Sequence, residues 1–376
     1  MVQPLALYIH VPYCLEKCPY CDFHSIAVEK NNIPYEDYAK RLIEQLDYEV
    51  ERFKLQDRKL VSIFFGGGTP SLMTPKFFET IYQKVAAPFW FDAPEITVET
   101  NPRTADKNQF KEWLKIGINR ISFGTQSFQD SLLQRLGRHH TAADSFRAVE
   151  EAKEAGFTNI NCDLIFGIKD QTLEELEKDL QSVLSLNVPH VSAYQLTVEK
   201  NTPLNTWVEE GSYKLPAEDI LVSMHEQVLA TLKSGGLNRY EISNYSKLGF
   251  QSRHNLEYWL NEDYLGIGSG AVSKIDGRRF RTTKKLKNYL AGDWSYEDEE
   301  TLDAKTIWKE KWMMGLRLER GVLLEPKEKG WSETFSEWQG EGFLKKTESR
   351  IVLTSKGFLV CNLLLQNIFA LIDKVC

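Results

Sequence analysis

The chain has 376 residues, of which 42% are hydrophobic and 26% charged, an ordinary composition for a globular protein with one large and one smaller domain. Its formal net charge of −7 disfavours the broad basic surface of a protein that wraps nucleic acid. The amino terminus lacks the basic-then-apolar pattern of a signal peptide, and no stretch reaches the roughly 20 apolar residues of a membrane span. We therefore expect a cytoplasmic protein with reduced thiols.

Strand-like and helix-like segments alternate along residues 1–237, which predicts an α/β core with parallel strands and right-handed crossovers. The predicted strands are Leu5–Val11, Val61–Phe65, Glu95–Thr100, Arg120–Gly124, Asn159–Ile165 and His190–Leu196. The predicted helices are Tyr35–Phe53, Pro75–Ala86, Asp106–Ile116, Thr141–Ala155, Leu173–Leu186 and Pro216–Ser234.

Three of the six cysteines, Cys14, Cys18 and Cys21, form a C-x3-C-x2-C motif directly after the first predicted strand. Thiolates crowded on one short loop repel one another, so the motif predicts a soft cation. A [4Fe-4S] cluster with one iron left open suits three thiolates. Zinc is the alternative, but it normally takes a fourth Cys or His at matching spacing, and only His24 is nearby. The other cysteines stand singly, at Cys162, Cys361 and Cys376.

Other unusual residues lie at the carboxyl ends of the predicted strands. Gly66-Gly67-Gly68-Thr69-Pro70 follows the second strand. The later strand ends carry Glu99, Gln126, Asp163, Tyr194 and Gln195. Because these ends meet at one rim of a parallel barrel, where reactive residues gather, we predict a single site there. Taken alone, the glycine run could be only a tight turn, and it matches neither a P-loop nor a dinucleotide fingerprint.

The pattern changes after about Asn238, and we interpret residues 238–300 as a connecting region. Ala271–Ile275 and Arg278–Thr282, joined by Asp276-Gly277, predict a hairpin. Basic residues follow the turn at Arg278, Arg279, Arg281, Lys284, Lys285 and Lys287. This basic segment is either a solvated hairpin and helix or a docking patch for an anionic partner.

Residues 301–376 predict a smaller α+β, winged-helix-like domain. The predicted elements are helices Ala304–Leu318 and Trp331–Trp338, a hairpin of Phe343–Thr347 and Ile351–Thr354, and a final core helix over Phe358–Ile372. Winged helices often bind DNA, but the overall acidity favours a role as a lid or a protein-docking module.

The cysteine motif, with Tyr20 before its last cysteine, and the run Gly66–Ser71 together resemble the radical S-adenosylmethionine (SAM) superfamily. Further segments are similar to its oxygen-independent coproporphyrinogen III oxidase-like branch, along essentially the whole chain. These segments are Tyr8–Pro12, Ser122–Ser127, Asp163–Gly167 and Tyr240–Tyr245. Within the branch the chain looks most like the heme chaperones. The porphyrinogen-oxidising enzymes carry a fourth cysteine where this chain has Phe23, and Arg253–Trp259 resembles the H-N-x-x-Y-W signature of heme-binding members.

This resemblance implies a partial, six-stranded (β/α) barrel, related to the TIM barrel, with a cluster and SAM at its open top. The implied cluster ligands are Cys14, Cys18 and Cys21. The implied SAM contacts are Tyr8, Gly67, Gly68, Thr69, Glu99, Gln126, Arg138 and Asp163. Arg138 and Glu99 could instead form a structural ion pair. Gln126 and Asp163 could merely satisfy backbone groups at the strand ends.

The resemblance also implies that His254 and Tyr258 contact heme, although a lone histidine is more often a satisfied polar residue than a metal ligand. If the segment is helical, both side chains share one face, and Trp259 adds an aromatic wall. The sequence does not decide whether His254 is the iron ligand.

Our first functional hypothesis is a heme chaperone that passes heme to acceptor hemoproteins of the respiratory type. Its implied partners are heme, an acceptor protein and an electron donor for the cluster, with no nucleic acid and with peripheral membrane association allowed. The alternative is an enzyme, an oxygen-independent coproporphyrinogen III dehydrogenase that oxidatively decarboxylates propionates. A remote third reading is a zinc-binding regulator that uses the C-terminal domain on DNA.

Overall fold

The computed structural model describes residues 3–85 and 87–375 and shows an α/β core followed by a smaller C-terminal domain. The first strands are β1 (Pro4–Val11), β2 (Tyr13–Cys14), β3 (Ile26–Ala27), β4 (Lys59–Gly67), β5 (Trp90–Thr100), β6 (Arg120–Gln126), β7 (Asn159–Phe166) and β8 (His190–Gln195). The first helices are α1 (Tyr35–Phe53), α2 (Pro75–Val85), α3 (Lys107–Ile116), α4 (Asp130–Arg135), α5 (Ala142–Ala155), α6 (Leu173–Ser185), α7 (Pro203–Glu209) and α8 (Glu218–Ser234). Short 3₁₀ helices cover Lys30–Asn32, Leu55–Asp57 and Pro70–Leu72. Ala86, the predicted end of the second helix, and Cys376 lie outside the described residues.

The parallel core is confirmed. Strands β1, β4, β5, β6, β7 and β8 are parallel neighbours in that order. Helix starts follow local chemistry, since Asp106 caps α3 and capping boxes at Thr141 and Thr172 begin α5 and α6. Because the six strands are parallel, their carboxyl ends share one rim, as the βα alternation predicts.

The region 238–300 contributes strands to the core sheet at both of its edges. Its elements are β9 (Asn238–Arg239), β10 (Asn244–Ser246), α9 (Arg253–Trp259), β11 (Tyr264–Ile267), β12 (Val272–Ile275), β13 (Arg278–Thr282), α10 (Leu286–Leu290) and β14 (Tyr296–Thr301). β10 pairs antiparallel with β8, whereas β11 pairs parallel with β1. The predicted hairpin is present as β12 and β13, and neither β11 nor β14 was predicted.

Strand β14 explains the basic segment. Arg278 Nη2 lies 2.5 Å from Glu299 Oε1, and Arg279 Nε lies 2.8 Å from Glu300 Oε1 on the neighbouring strand. Arg281 pairs with Asp298 in the same way. Because an acidic edge strand partners these arginines, the structure favours a solvated hairpin over an anion-docking patch for this part of the segment.

The C-terminal domain has a hydrophobic core of its own. Its elements are α11 (Ala304–Gly315), β15 (Val322–Leu323), a 3₁₀ helix (Pro326–Trp331), α12 (Ser332–Gly340), β16 (Leu344–Lys346), β17 (Arg350–Leu353), α13 (Ser355–Leu359) and α14 (Cys361–Val375). The three strands form one sheet in the order β15-β17-β16. Aromatic side chains dominate the core, including Trp308, Trp312, Trp331, Phe335 and Trp338. The predicted single final helix is interrupted at Val360, which separates α13 from α14.

Within the described residues, the helices are all too short or too polar to cross a bilayer.

Gln45 joins α1 to the strands that extend the sheet beyond β1. The side chain is fully buried. Its Nε2 donates to Thr282 Oγ1 at 2.9 Å, and its Oε1 accepts from Gly268 N and from Tyr289 Oη, both at 2.9 Å. These three hydrogen bonds of one buried amide connect the βα core to the region 238–300.

We predict that Gln45→Ala lowers the apparent free energy of unfolding by about 3 kcal/mol, because it leaves three buried polar groups unsatisfied. Chemical denaturation followed by circular dichroism measures the change. The control is Gln83→Ala, since Gln83 is exposed on α2 and bonds only Glu79. A similar loss in both variants would contradict the role of Gln45.

Candidate functional site

The cysteine motif forms a folded loop over the rim. Cys14 lies in β2, which pairs parallel with β3. The backbone N–H of Cys21 donates to Cys18 O at 3.1 Å, which turns the chain between the last two cysteines. Cys14 is buried, and Cys18 and Cys21 are half-buried. All three line the same cleft.

The surroundings of Cys14 and Cys21 favour the protonated forms of these two thiols unless a cation is present. Burial raises the pKa of Cys14, and burial together with the neighbouring thiols raises the pKa of Cys21 to about 11. Thr69 Oγ1 donates to Cys14 Sγ at 3.4 Å, and Arg138 Nη1 donates to Cys18 Sγ at 3.2 Å. These donors offset only part of the charge of three thiolates, so the loop needs a strongly positive group to ionise fully.

Three cysteine thiols line this cleft, and three is the number of thiolates that a [4Fe-4S] cluster with one open iron takes. Among residues 3–85 and 87–375, no three His, Cys, Asp or Glu side chains converge closely enough to hold one metal ion. Thiolates of a [4Fe-4S] cluster bind different irons and need not meet at one atom. His24, the nearest histidine in sequence, contacts Ser269 Oγ through Nε2 at 3.1 Å. The residues present therefore fit a cluster held by three cysteines.

The glycine run packs directly against the cysteine loop. Gly68 N donates to Val11 O and Thr69 N donates to Tyr13 O, both at 2.8 Å. A Cβ on Gly68 would lie 2.7 Å from Tyr13 O and 3.0 Å from Cys14 Sγ. Gly67 has φ +111°, a conformation that side chains disfavour. The run is therefore more than a turn, because its lack of side chains lets the strand end approach the cysteines.

Two carboxyls, Glu99 and Asp163, line the cleft opposite the cysteines. Gly67 N donates to Glu99 Oε2 at 3.0 Å, and Asn161 Nδ2 donates to Asp163 Oδ1 at 2.7 Å. Burial, followed by the charge of Asp163, raises the pKa of Glu99 to about 8. Burial also raises the pKa of Asp163. A cationic ligand in this cleft would stabilise both carboxylates.

Arg138 forms its hydrogen bonds with the cysteine loop and with β6 rather than with the carboxyls. Its Nη2 donates to Gly124 O at 2.8 Å, and its Nη1 reaches Cys18 Sγ. An ion pair with Glu99, the structural alternative, is not formed in the described part of the chain. Gln126, which has φ +63°, also lines the cleft.

The structure brings most of the sequence-predicted site residues together. Those that line the cleft are Cys14, Cys18, Cys21, Gly67, Gly68, Thr69, Glu99, Gln126, Arg138 and Asp163. Tyr8 lies beside the glycine run, with its hydroxyl 3.0 Å from His10 Nδ1. Sequence reasoning missed Asn101 and Ser122 as lining residues. Strand alternation could have found Ser122, because it lies two residues before Gly124 on the same face of β6.

The segment that carries His254 lies elsewhere, against the inner face of the sheet below the cleft. It forms α9, as its spacing allowed. His254 is 1% exposed, with Nδ1 2.9 Å from Ser62 Oγ and Nε2 2.9 Å from Tyr258 Oη. Its ring stacks on Phe64 at 4.9 Å. Burial lowers its pKa to about 3, so the imidazole is neutral, and both of its nitrogens are engaged.

We predict that Gly68→Ala loses most of the iron and sulfide that the protein retains after anaerobic reconstitution. The added methyl group collides with backbone oxygens that cannot move away without displacing Cys14. Iron and sulfide analysis measures the loss. The control is Gly340→Ala, since a Cβ at Gly340 meets nothing within 4 Å. Normal iron content in Gly68→Ala would contradict the close packing of the glycine run and the cysteine loop.

Comparisons with known proteins agree with this geometry. Residues 8–183 match the profile of the Radical SAM superfamily. The chain is 45% identical over 306 residues to the heme chaperone HemW of Haemophilus influenzae, covering 79% of each chain. It is 35% identical over 371 residues to the heme chaperone HemW of Lactococcus lactis, covering 96% of each chain. Coproporphyrinogen III oxidase (HemN) from Escherichia coli has a similar fold, with a TM-score of 0.80 at 22% identity over 100% of this chain and 91% of that one. The chain thus belongs to the radical SAM superfamily and, within it, to the family of the HemW proteins.

Proposed function

We propose that this protein is a heme chaperone, which binds heme and transfers it to acceptor hemoproteins. The similarity to heme chaperones along most of both chains carries the proposal. Membership of the radical SAM superfamily implies a [4Fe-4S] cluster and SAM as cofactors. Respiratory hemoproteins as acceptors and an electron donor for the cluster form part of the proposal.

The cleft offers a suitable group for each part of the cofactors. We assign Cys14, Cys18 and Cys21 to the cluster, which when bound supplies an electron to the sulfonium of SAM. Arg138 would orient the SAM carboxylate, and the carboxyls would accept hydrogen bonds from its amino and ribose hydroxyl groups. The full set of proposed SAM contacts is Tyr8, Gly67, Gly68, Thr69, Glu99, Gln126, Arg138 and Asp163.

The charge state of the cleft supports a cationic ligand. Glu99 has a pKa raised to about 8 by burial and by Asp163, so the carboxyl is largely protonated near neutral pH. A positive sulfonium or ammonium nearby favours the carboxylate form. SAM binding would then release a proton, which couples affinity to pH.

We place heme at the segment around α9. Tyr258 and Trp259 are half-buried and offer aromatic surface, while Arg253 and Arg320 are exposed cations suited to propionates. Arg320 lies close enough to Glu257 to oppose the rise to about 7 that burial causes in the pKa of that carboxyl. The segment therefore combines aromatic surface with cationic side chains.

Ligation of heme iron by His254 requires Tyr258 to move away from the imidazole. Its neutral imidazole has the right protonation state, but Tyr258 Oη occupies Nε2 at 2.9 Å. Rotation of Tyr258 would free that nitrogen, whereas Nδ1 would keep its contact with Ser62. The tyrosine hydroxyl is thus a competitor of the iron for His254.

We predict that anaerobically reconstituted protein binds about one heme per chain when titrated and followed by absorbance. His254→Ala should weaken binding about tenfold, because the iron loses an imidazole ligand. Tyr258→Phe should bind at least as tightly as the unmodified protein, since the competing hydroxyl is gone. The control is His225→Ala, since His225 is half-buried and its Nε2 contacts Gln195 Oε1 on β8 at 2.8 Å.

Two outcomes separate the function from its location. If the unmodified protein binds no heme but consumes coproporphyrinogen with SAM and a reductant, the chaperone proposal is wrong and the enzyme alternative gains support. If the unmodified protein and His254→Ala bind heme equally well, the chaperone proposal is supported and the assignment of His254 to the heme site is wrong.

A further inference from the structure

A buried arginine lies beneath the SAM cleft. Arg120 begins β6, and Ser122, which lines the cleft, stands two residues further along the strand. Alternate residues of a strand point to the same face, so the Arg120 side chain lies on the cleft face, one layer deeper. Only 2% of Arg120 is exposed. A full positive charge is thus buried inside the core.

The surroundings of Arg120 do not neutralise it by direct contact. Thr97 on β5 and Asn159 on β7 are its register partners. Arg120 Nε, Thr97 Oγ1 and Asn159 Oδ1 are all buried atoms without a hydrogen-bond partner in the described part of the chain. Arg120 also forms no salt bridge with the residues described there. A buried unpaired charge destabilises a fold, so a purely structural role explains Arg120 poorly.

The charge of Arg120 instead acts on the cleft at longer range. Burial raises the pKa of Glu99 and of Asp163, and the positive charge of Arg120 opposes both increases. Burial lowers the pKa of His190 and of His254, and Arg120 lowers each further. Arg120 is therefore central to the polar interior, with carboxyls above it and neutral imidazoles around it.

Arg120 is a cation that acts on both carboxyls. Among the described residues it contacts no anionic or sulfur atom directly. The titratable and charged groups facing them, besides each other, are Tyr8 on β1, Arg120 on β6, Cys162 on β7, Tyr194 on β8, Tyr258 on α9 and Arg138 before α5. The tyrosines and the cysteine carry no positive charge. Arg138 acts on Asp163 but is already bonded to Cys18 Sγ and Gly124 O.

We propose that Arg120 is a positioning residue for SAM: its charge, buried beneath the cleft, favours the carboxylate forms of Glu99 and Asp163, which accept hydrogen bonds from the cofactor. The inference rests on the proposed function, because it requires SAM in the cleft. Arg120 would thus influence the affinity for SAM without contacting it.

The test is the dissociation constant for SAM between pH 6 and 9, measured by equilibrium dialysis with the oxidised, reconstituted protein. Arg120→Gln removes the cation, so the pKa of each carboxyl rises further. At pH 7 affinity should fall about tenfold, the equivalent of one pKa unit at Glu99, and by pH 9 the deficit should shrink to about twofold. Arg120→Lys keeps the charge and should stay within about threefold throughout. Arg147→Gln is the control, because Arg147 is exposed and pairs with Asp144 on α5.

Iron content and the thermal midpoint at each pH report whether each variant is folded. If Arg120→Gln loses its cluster, Arg120→Met, which keeps the apolar stem, replaces it in the same test. A deficit equal at pH 7 and pH 9, or no deficit, would overturn the positioning role and leave the SAM site in place. Failure of the unmodified protein to bind SAM at any pH would instead overturn the proposed SAM site itself.

Discussion

The crowding of acidic groups in one cleft governs how the rest of this structure is arranged. Three thiols within one loop and two buried carboxyls share the same space, and burial raises the pKa of Cys21 to about 11 and that of Glu99 to about 8. Such groups ionise together only if positive charge is supplied. Arg138 supplies part of it by contact with Cys18, and the implied cofactors bring more.

The architecture follows from holding these groups close together. The parallel strands place the cysteine loop, the glycine run and the carboxyls at one rim. The glycines let β4 approach the loop so closely that a methyl group at Gly68 would collide with it. Below the rim, α9 closes the interior. Its His254 ring forms a hydrogen bond with Ser62 on β4 and another with Tyr258, one turn further along the helix. Cofactor cleft and candidate heme segment are thus two ends of one polar interior.

The sequence predicted what depends on local patterns. The bounds of Tyr35–Phe53 match because an amphipathic repeat fills that segment and Pro34 precedes it, and the cysteine spacing is likewise local. β14 was missed because its residues are almost all polar, and it is held by arginines of the neighbouring strand rather than by burial. The break at Val360 has no glycine or proline to mark it. The burial of Arg120 without a salt bridge to any described residue, and the engagement of both His254 nitrogens, arise from tertiary packing that no spacing encodes.

We propose that the cysteine cleft holds a cluster with one iron open to SAM. Iron analysis and electron paramagnetic resonance of the anaerobically reconstituted, reduced protein, with and without SAM, test it most directly. We expect about four irons per chain and a signal that changes when SAM is added. One zinc per chain with no retained iron, or a cluster signal that is indifferent to SAM, would contradict it.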